Sequence, residues 1–385
     1  MARCAGGAHG SLPTSPMNLL MISGDRATAE GRKGAFWYTL QSLAKHWDRI
    51  DIICPKPPHK NDSLTSQMEK HGVFFHPNIR GLRTQSRWIR SKGAQLCAQR
   101  PYAAMTIHEY PPFYNGRGAL RLAKEKNIPT LLEIHHIVGD PAPANLSERI
   151  GHMLSRRVLP KEVAQATATR TVNGSVRETL VEWGAPQKKI AVLPSFYLDR
   201  SVLVSSAPNE KKYDLAFCAR LVANKGLGNV LSAVTMLPGI TLLVIGDGPE
   251  RASLEKRAQS LGIADRVTFA GWLPTHEDVV AALKSAKIFL MNSLSEGGPR
   301  SALEAMACGL PVIVTPVGIM PDVLNDGQNG LFTTGEPEDL RTQIEFLLED
   351  PDRAYDMGKS AMFVLDSFER ETLIAAYSDF LKHLS

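Results

Sequence analysis

No apolar run in the 385-residue chain approaches the roughly 20 residues needed to span a bilayer, so no segment reads as a transmembrane helix. Cysteine is sparse: Cys4, Cys54, Cys97, Cys218 and Cys308 are widely scattered, odd in number and without a C-x-x-C pair. That excludes a disulfide frame and a structural zinc, and it fits a reduced, cytoplasmic compartment. The opening "MARCAGGAHGSLPTSP" lacks the apolar core of a signal peptide, so secretion is not expected. Residues 1–16 read as a disordered tail, with Met17 a candidate start. Short-period repeats and low-complexity tracts are absent. "DPD" at Asp350 to Asp352 looks like a metal-binding D-x-D, but it lies between two helical patterns and reads as a capping turn. No metal site is expected.

What is present is an ordinary soluble composition, 43% hydrophobic and 22% charged, in a chain long enough for two α/β domains. The net charge of +5 conceals a division: residues 1–200 hold 28 basic and 15 acidic residues, residues 201–385 hold 16 and 24. The basic half suggests an anionic partner, with a membrane surface, a lipid-phosphate acceptor and nucleic acid as the classes to weigh. Arg83, Arg87 and Arg90 recur at helical spacing beside Trp88, a pattern that suits an anionic lipid surface and equally a solvated helix face. The lipid surface or acceptor is the expected partner, and nucleic acid is not.

Apolar β-type runs alternate with helical patterns in both halves, from "NLLMIS" to "IAVLP" and again from "YDLAFCA" to "GLFT". Near-continuous apolar strands of this kind belong to parallel sheets covered on both faces. The expected fold is therefore α/β, with two doubly wound, Rossmann-like domains over residues 17–205 and 206–365. The segment "RSVLVSSAPNEKKYD" is the expected linker, and residues 366–385 form a last helix packing back on the first domain.

Ligands of such sheets bind beyond the carboxyl ends of the strands, and there the polar residues gather. Gly24, Gly31 and Gly34 follow the first strand without forming G-x-G-x-x-G, so a dinucleotide site is not supported. His135 and His136 end "PTLLEI"; as neighbours in an extended segment they face opposite ways, and His135 is the candidate for function. Arg220 and Lys225 flank a strand-to-helix turn and suit a diphosphate. After "KIFLMN" comes "SEGGPRSALEAMACGLPVIV". Gly297, Gly298 and Pro299 open a helix whose amides can receive phosphate oxygens, with Pro299 at its first position. Glu304 falls on the helix face of Arg300 and Ser301, and a carboxylate there suits vicinal hydroxyls. Hydroxyls on either side of a diphosphate describe a nucleotide sugar.

"FCARLVANKGLGNVLSAVTML", "LLVIGDGPERASLEKRAQSLGIADRVTFAGWLP" and "SEGGPRSALEAMACGLPVIVTPVG" together resemble the C-terminal domain of family 4 of the retaining glycosyltransferases, which have the GT-B fold. The likeness runs over most of residues 213–350. It implies that Glu296 contacts the donor sugar, with the backbone of Gly297 to Arg300 lining the sugar and phosphate pocket. It further implies Glu304 on the ribose, Arg220 and Lys225 on the diphosphate, and Trp272, Leu273 and Pro274 bordering the base. Gly34 would approach the phosphates, and His135 would sit near the reacting carbon. The family needs neither cofactor nor metal and transfers with retention, a donor phosphate oxygen helping to take the acceptor proton. Two departures stand out: Lys33-Gly34 where the family often has Gly-Gly, and Ser195-Phe196 where it has Asn-Gly.

The resulting expectation is a transferase that uses a UDP- or GDP-sugar and a glycan or lipid-linked acceptor, in the cytoplasm or at the inner face of the plasma membrane. A GT-B sugar-nucleotide epimerase and a catalytically inactive nucleotide-sugar-binding protein are the alternatives. The complete set Arg220, Lys225, Glu296 and Glu304 favours transfer.

Overall fold

The computed structural model describes residues 16–25, 29–30, 33–57, 62–205 and 210–384. The expected N-terminal tail, residue 16 apart, lies outside them, as do Gly31 and Cys4.

Thirteen strands form two sheets. The first has β1 (Asn18–Ile22), β2 (Arg49–Cys54), β3 (Val73–Pro77), β4 (Ala104–His108), β5 (Thr130–Ile134), β6 (Ala168–Thr171) and β7 (Ile190–Val192). The second has β8 (Tyr213–Cys218), β9 (Leu242–Ile245), β10 (Val267–Gly271), β11 (Ala286–Met291), β12 (Val312–Val314) and β13 (Leu331–Phe332). Their orders are β3-β2-β1-β4-β5-β6-β7 and β10-β9-β8-β11-β12-β13. Every pairing is parallel. The reason is visible in the strands: β1 and β9 are buried at every position, so helices must cover both faces. Each domain accordingly has one core cluster on each side of its sheet. Order reverses beside β1 in the first sheet and beside β8 in the second, which puts a crevice at the carboxyl ends of those strands.

The chain passes between the domains twice. The first passage precedes residue 198, because Leu198 and Leu203 are buried in the second domain's core and the helix Arg200–Ser205 belongs there rather than to a linker. The second runs alongside it: the Leu198 amide donates to the Phe368 carbonyl at 2.8 Å, and Arg370 pairs with Asp199 at 3.0 Å. The helix Arg370–Lys382 then lies on the first domain, where Ile374, Tyr377 and Leu381 join the core with Trp37 and Leu40.

The helix Tyr114–Lys126 and the helix Leu146–Gln165 enclose two buried, mutually hydrogen-bonded carboxyls, Glu109 and Glu162. Glu109 accepts from the amides of Tyr110 and Gly116. Burial raises the pKa of both, and the Glu109 charge raises Glu162 further. The folded chain thus keeps a proton that the unfolded chain releases above the ordinary glutamate range. The resulting stabilisation is complete below that range and is lost as pH rises through neutrality. Glu162→Gln, which needs no proton, is expected to flatten this loss. Melting temperatures from pH 5 to pH 9 test it, and parallel curves for the two proteins would refute the shared proton.

Candidate active site

At the end of β8 the chain turns through Arg220 and a short 3-10 segment, Ala223–Lys225, before the helix Leu227–Thr235. Gly226 has φ +65°, and a Cβ there would collide with the Asn292 backbone, so the turn presses on the loop after β11. The Asn224 side chain donates to the Ser295 carbonyl at 2.9 Å, and the Leu294 amide donates back to the Asn224 carbonyl at 2.8 Å. Two strand ends 71 residues apart are thereby laced together. Lys225 Nζ meets Glu296 Oε1, which also accepts from the Ser293 hydroxyl at 2.8 Å. Arg220 is exposed and has no ion-pair partner among the described residues. Lys225 and Glu296, which follow different strands, thus meet at the carboxyl ends of β8 and β11.

Glu304 sits inside the helix Arg300–Ala307 and is buried; Pro299 is the residue before that helix rather than its first position. Glu304 Oε1 accepts from Arg300 Nε and from His276 Nε2, each at 2.8 Å. Burial alone would raise its pKa; the His276 hydrogen bond and the Arg300 charge outweigh that and hold it below the usual glutamate range. It is therefore ionised at neutral pH. His276 was not foreseen: it follows β10 and Trp272 and reaches Glu304 from an adjacent helix. Trp272 is 80% exposed at the rim, whereas Leu273 packs against the core.

The first domain supplies the opposite wall. The Gly297–Gly298 loop touches it closely: a Cβ on Gly297 would strike the His135 carbonyl, and one on Gly298 would enter the Phe196 ring. Phe196, at the position where this chain departs from the Asn-Gly pair of the resembled family, therefore covers the Gly297–Gly298 loop. Asn173 Nδ2 donates to the Gly297 carbonyl at 2.5 Å, and the Gly174 amide to Asp322 at 2.8 Å. Gly34 precedes the helix Ala35–Leu43, and a Cβ there would meet nothing within 4 Å among the described residues. Gly24 faces the Tyr110 ring instead.

The two histidines diverge as their alternation requires. His136 turns across the crevice, its Nε2 lying 3.3 Å from the Ser295 hydroxyl. His135 binds Glu133 at 3.0 Å through Nε2. Partial burial lowers its pKa and Glu133 raises it; the first prevails, leaving a neutral imidazole near pH 7. Glu133 is itself fully enclosed by Arg170 at 3.2 Å, His108 at 3.3 Å and the Tyr377 hydroxyl at 2.5 Å. Burial opposes its ionisation, but the charges and hydrogen bonds of His108, His135 and Arg170 keep it ionised. This network was not foreseen, although a glutamate inside the apolar run "TLLEI" was a signal that a partner had to exist.

His108, Glu133 and His135 are also the group whose ligand atoms approach closely enough for a metal ion. The buried Arg170 guanidinium beside Glu133 opposes a second cation there, and both Glu133 oxygens already accept hydrogen bonds. Cys54, Cys97, Cys218 and Cys308 form no disulfide among the described residues. Asp350 accepts from the Arg353 amide at 3.0 Å and starts the helix Pro351–Ala361, so "DPD" is a cap.

The lipid-facing pattern around Arg83 comes apart in the structure. Arg83, Arg87 and Arg90 are exposed, but Arg90 pairs with Glu125 at 2.7 Å. Trp88 packs against the core and donates its indole N–H to the His76 carbonyl at 3.2 Å. The aromatic flank is turned inward because residues 87 and 88 lie about 100° apart on a helix.

Two Rossmann-like domains facing each other across a crevice, with cations and carboxylates at the strand ends of the second, define the GT-B class. The Anabaena protein HepE, solved with UDP and glucose, shares the fold at a TM-score of 0.73 and 18% identity, covering 96% of this chain and 100% of that one. Residues 202–362, within the second domain, match the family model for glycosyl transferases group 1. The lipopolysaccharide core biosynthesis glycosyltransferase LpsE of Rhizobium meliloti is 34% identical over 166 residues, 42% of this chain and 47% of LpsE. A GDP-mannose-dependent α-(1-6)-phosphatidylinositol monomannoside mannosyltransferase of Mycolicibacterium smegmatis is 31% identical over 176 residues, 42% of this chain and 46% of that one. The chain spans about half the length of the curated relatives it matches.

Proposed function

We propose that the protein is a retaining glycosyltransferase that moves a sugar from a nucleoside-diphosphate sugar to a glycan or lipid-linked acceptor. The observation that carries this reading is the convergence of Lys225, Glu296 and Glu304 at adjacent strand ends of a group 1 domain, with His135 and His136 at the facing wall. In this reading Glu304 holds the ribose hydroxyls and gives up Arg300 or His276 as a partner when it does so. Glu296 orients the transferred sugar. Lys225 and Arg220 neutralise the departing diphosphate, so the chain supplies by side chains the charge that a metal ion would otherwise bring. Neutral His135, held by Glu133, accepts a hydrogen bond from the incoming hydroxyl. The names of the relatives, one in lipopolysaccharide core synthesis and one acting on a phosphatidylinositol mannoside, support an acceptor of the glycolipid class. Assignment to the cytoplasm or the inner membrane face belongs to the same proposal.

Thermal shift with UDP-, GDP- and ADP-sugars, followed by NMR of the products, tests it. Stabilisation by one base family and release of its sugar in the α configuration are expected. Release of an isomerised nucleotide sugar would replace transfer by epimerisation, and no shift with any donor would leave an inactive scaffold. Glu304→Ala should weaken the stabilising donor by roughly tenfold, the effect of losing a charged hydrogen-bond acceptor, and an unchanged donor affinity would remove Glu304 from the site.

A further inference from the structure

The helix Leu146–Gln165 buries one face, through Gly151, Ser155, Leu159, Glu162 and Val163. Its opposite face carries four large apolar side chains in the open: Leu146 is 72% exposed, Ile150 47%, Met153 55% and Leu154 40%. Their spacing of four, seven and eight residues puts them on one stripe. Single exposed apolar residues are ordinary, but a contiguous stripe is not left to water without a partner.

The charge beside this stripe says what the partner is. Arg157 and Lys161 continue the same face one turn further on, and Arg149 and Arg156 flank it; all four are exposed. An adjoining cavity of about 490 Å³ is lined by Arg157 and Lys161 together with Arg117 and Arg121 from the neighbouring helix Tyr114–Lys126. None of these six cations has an ion-pair partner among the described residues. The acidic groups of the helix offset little of this charge: Glu148 is held at the helix start, where its carboxylate accepts from the Ala144 amide, and Glu162 is held in its protonated form by burial. An apolar stripe bordered by unpaired cations matches the boundary between acyl chains and anionic headgroups.

We propose that this face is a docking surface for an anionic lipid bilayer, with Leu146, Ile150, Met153 and Leu154 entering the headgroup–acyl boundary and the cations facing lipid phosphates. The docking is independent of the enzymatic reading. If that reading also holds, the surface has a use: the helix begins a short loop after His135 and His136, so the bilayer would lie beside the crevice on its acceptor side.

The test is sedimentation of the full chain with phosphatidylcholine vesicles and with vesicles that also contain phosphatidylglycerol. Three variants are compared: Leu146→Ser/Ile150→Ser/Met153→Ser, Arg156→Gln/Arg157→Gln/Lys161→Gln, and Arg83→Gln/Arg87→Gln/Arg90→Gln. Binding to the anionic vesicles is expected, reduced by about tenfold or more in each of the first two variants, weakened by salt, and little changed in the third. Where the triple apolar variant does not reach the wild-type melting temperature, Met153→Ser alone replaces it. Absence of binding, equal binding by all four proteins, or loss confined to the third variant would overturn the proposal. So would sedimentation-velocity dimers of the free protein that dissolve on apolar substitution, because the stripe would then belong to a second copy.

Discussion

Lys225→Ala is expected to lower kcat for sugar transfer by 10²- to 10³-fold, about 3 kcal/mol of transition-state stabilisation, with little change in melting temperature. Two effects act together. The departing nucleoside diphosphate loses a fixed cation at the point where its charge develops. Glu296, which now shares its Oε1 between Lys225 and Ser293, keeps a half-buried carboxylate with no ammonium beside it. That charge would repel the same diphosphate. Because the loss falls on the transition state, KM for the donor should change far less than kcat. Lys225→Arg restores the charge but not the compact shape, and part of the rate should return. Full steady-state kinetics on the donor that the ligand screen identifies decide the matter. An alanine variant with unaltered kcat would remove Lys225 from the chemistry.

The largest expected effect on stability lies across the crevice. Glu133→Ala should cost about 3–5 kcal/mol of unfolding free energy, because it leaves Arg170 buried without its counter-ion. Arg170 cannot escape to water: its remaining nitrogens donate to the Leu193 and Pro194 carbonyls at 2.8 and 2.5 Å, and its guanidinium stacks on the Tyr377 ring at 4.1 Å. Tyr377→Phe, which removes one hydrogen bond and leaves the ion pair, should cost about 1 kcal/mol. Urea unfolding of both variants at pH 7 measures the difference. Equal losses would mean that the ion pair is not what stabilises this part of the fold. Glu133→Ala should also release His135, so the fraction that stays folded should transfer sugar slowly.

These two sites differ in how far the sequence disclosed them. All thirteen strands were legible, most of them because a strand buried on both faces leaves a near-continuous apolar run with turn residues at its ends. The candidate residues of the second domain were picked out in the same way: Arg220, Lys225 and Glu296 lie in the loops that follow such runs, and Glu304 in the helix after one of them. His276 was not, since its role depends on an adjacent strand–helix unit carrying it to Glu304, 28 residues away. The Glu133 network draws on β4, β5, β6 and the last helix, and Tyr377 is 244 residues from its partner. No local pattern encodes such a meeting; the signal available was the improbable charge inside β5. In the Arg83 segment the structure differs from the pattern in one respect. Periodicity placed three arginines on one face, but adjacency in sequence is divergence on a helix, and Trp88 went to the core. The stripe on Leu146–Gln165 escaped notice because its apolar spacing is also what a buried helix face would show.

The paired passages at Leu198 and Phe368 have a mechanical consequence. A body joined to another by one strand can swivel and slide; joined by two strands fastened side by side, it keeps mainly the rotation about their common line. Any opening of the crevice would then be a swing about that fixed edge, with the two walls kept in register. Cutting the chain at the first passage would not free the second domain, because the terminal helix remains anchored in the first through Ile374, Tyr377 and Leu381. The helix Arg370–Lys382 thus acts as a latch, constraining the position of a crevice whose residues lie far from it in sequence.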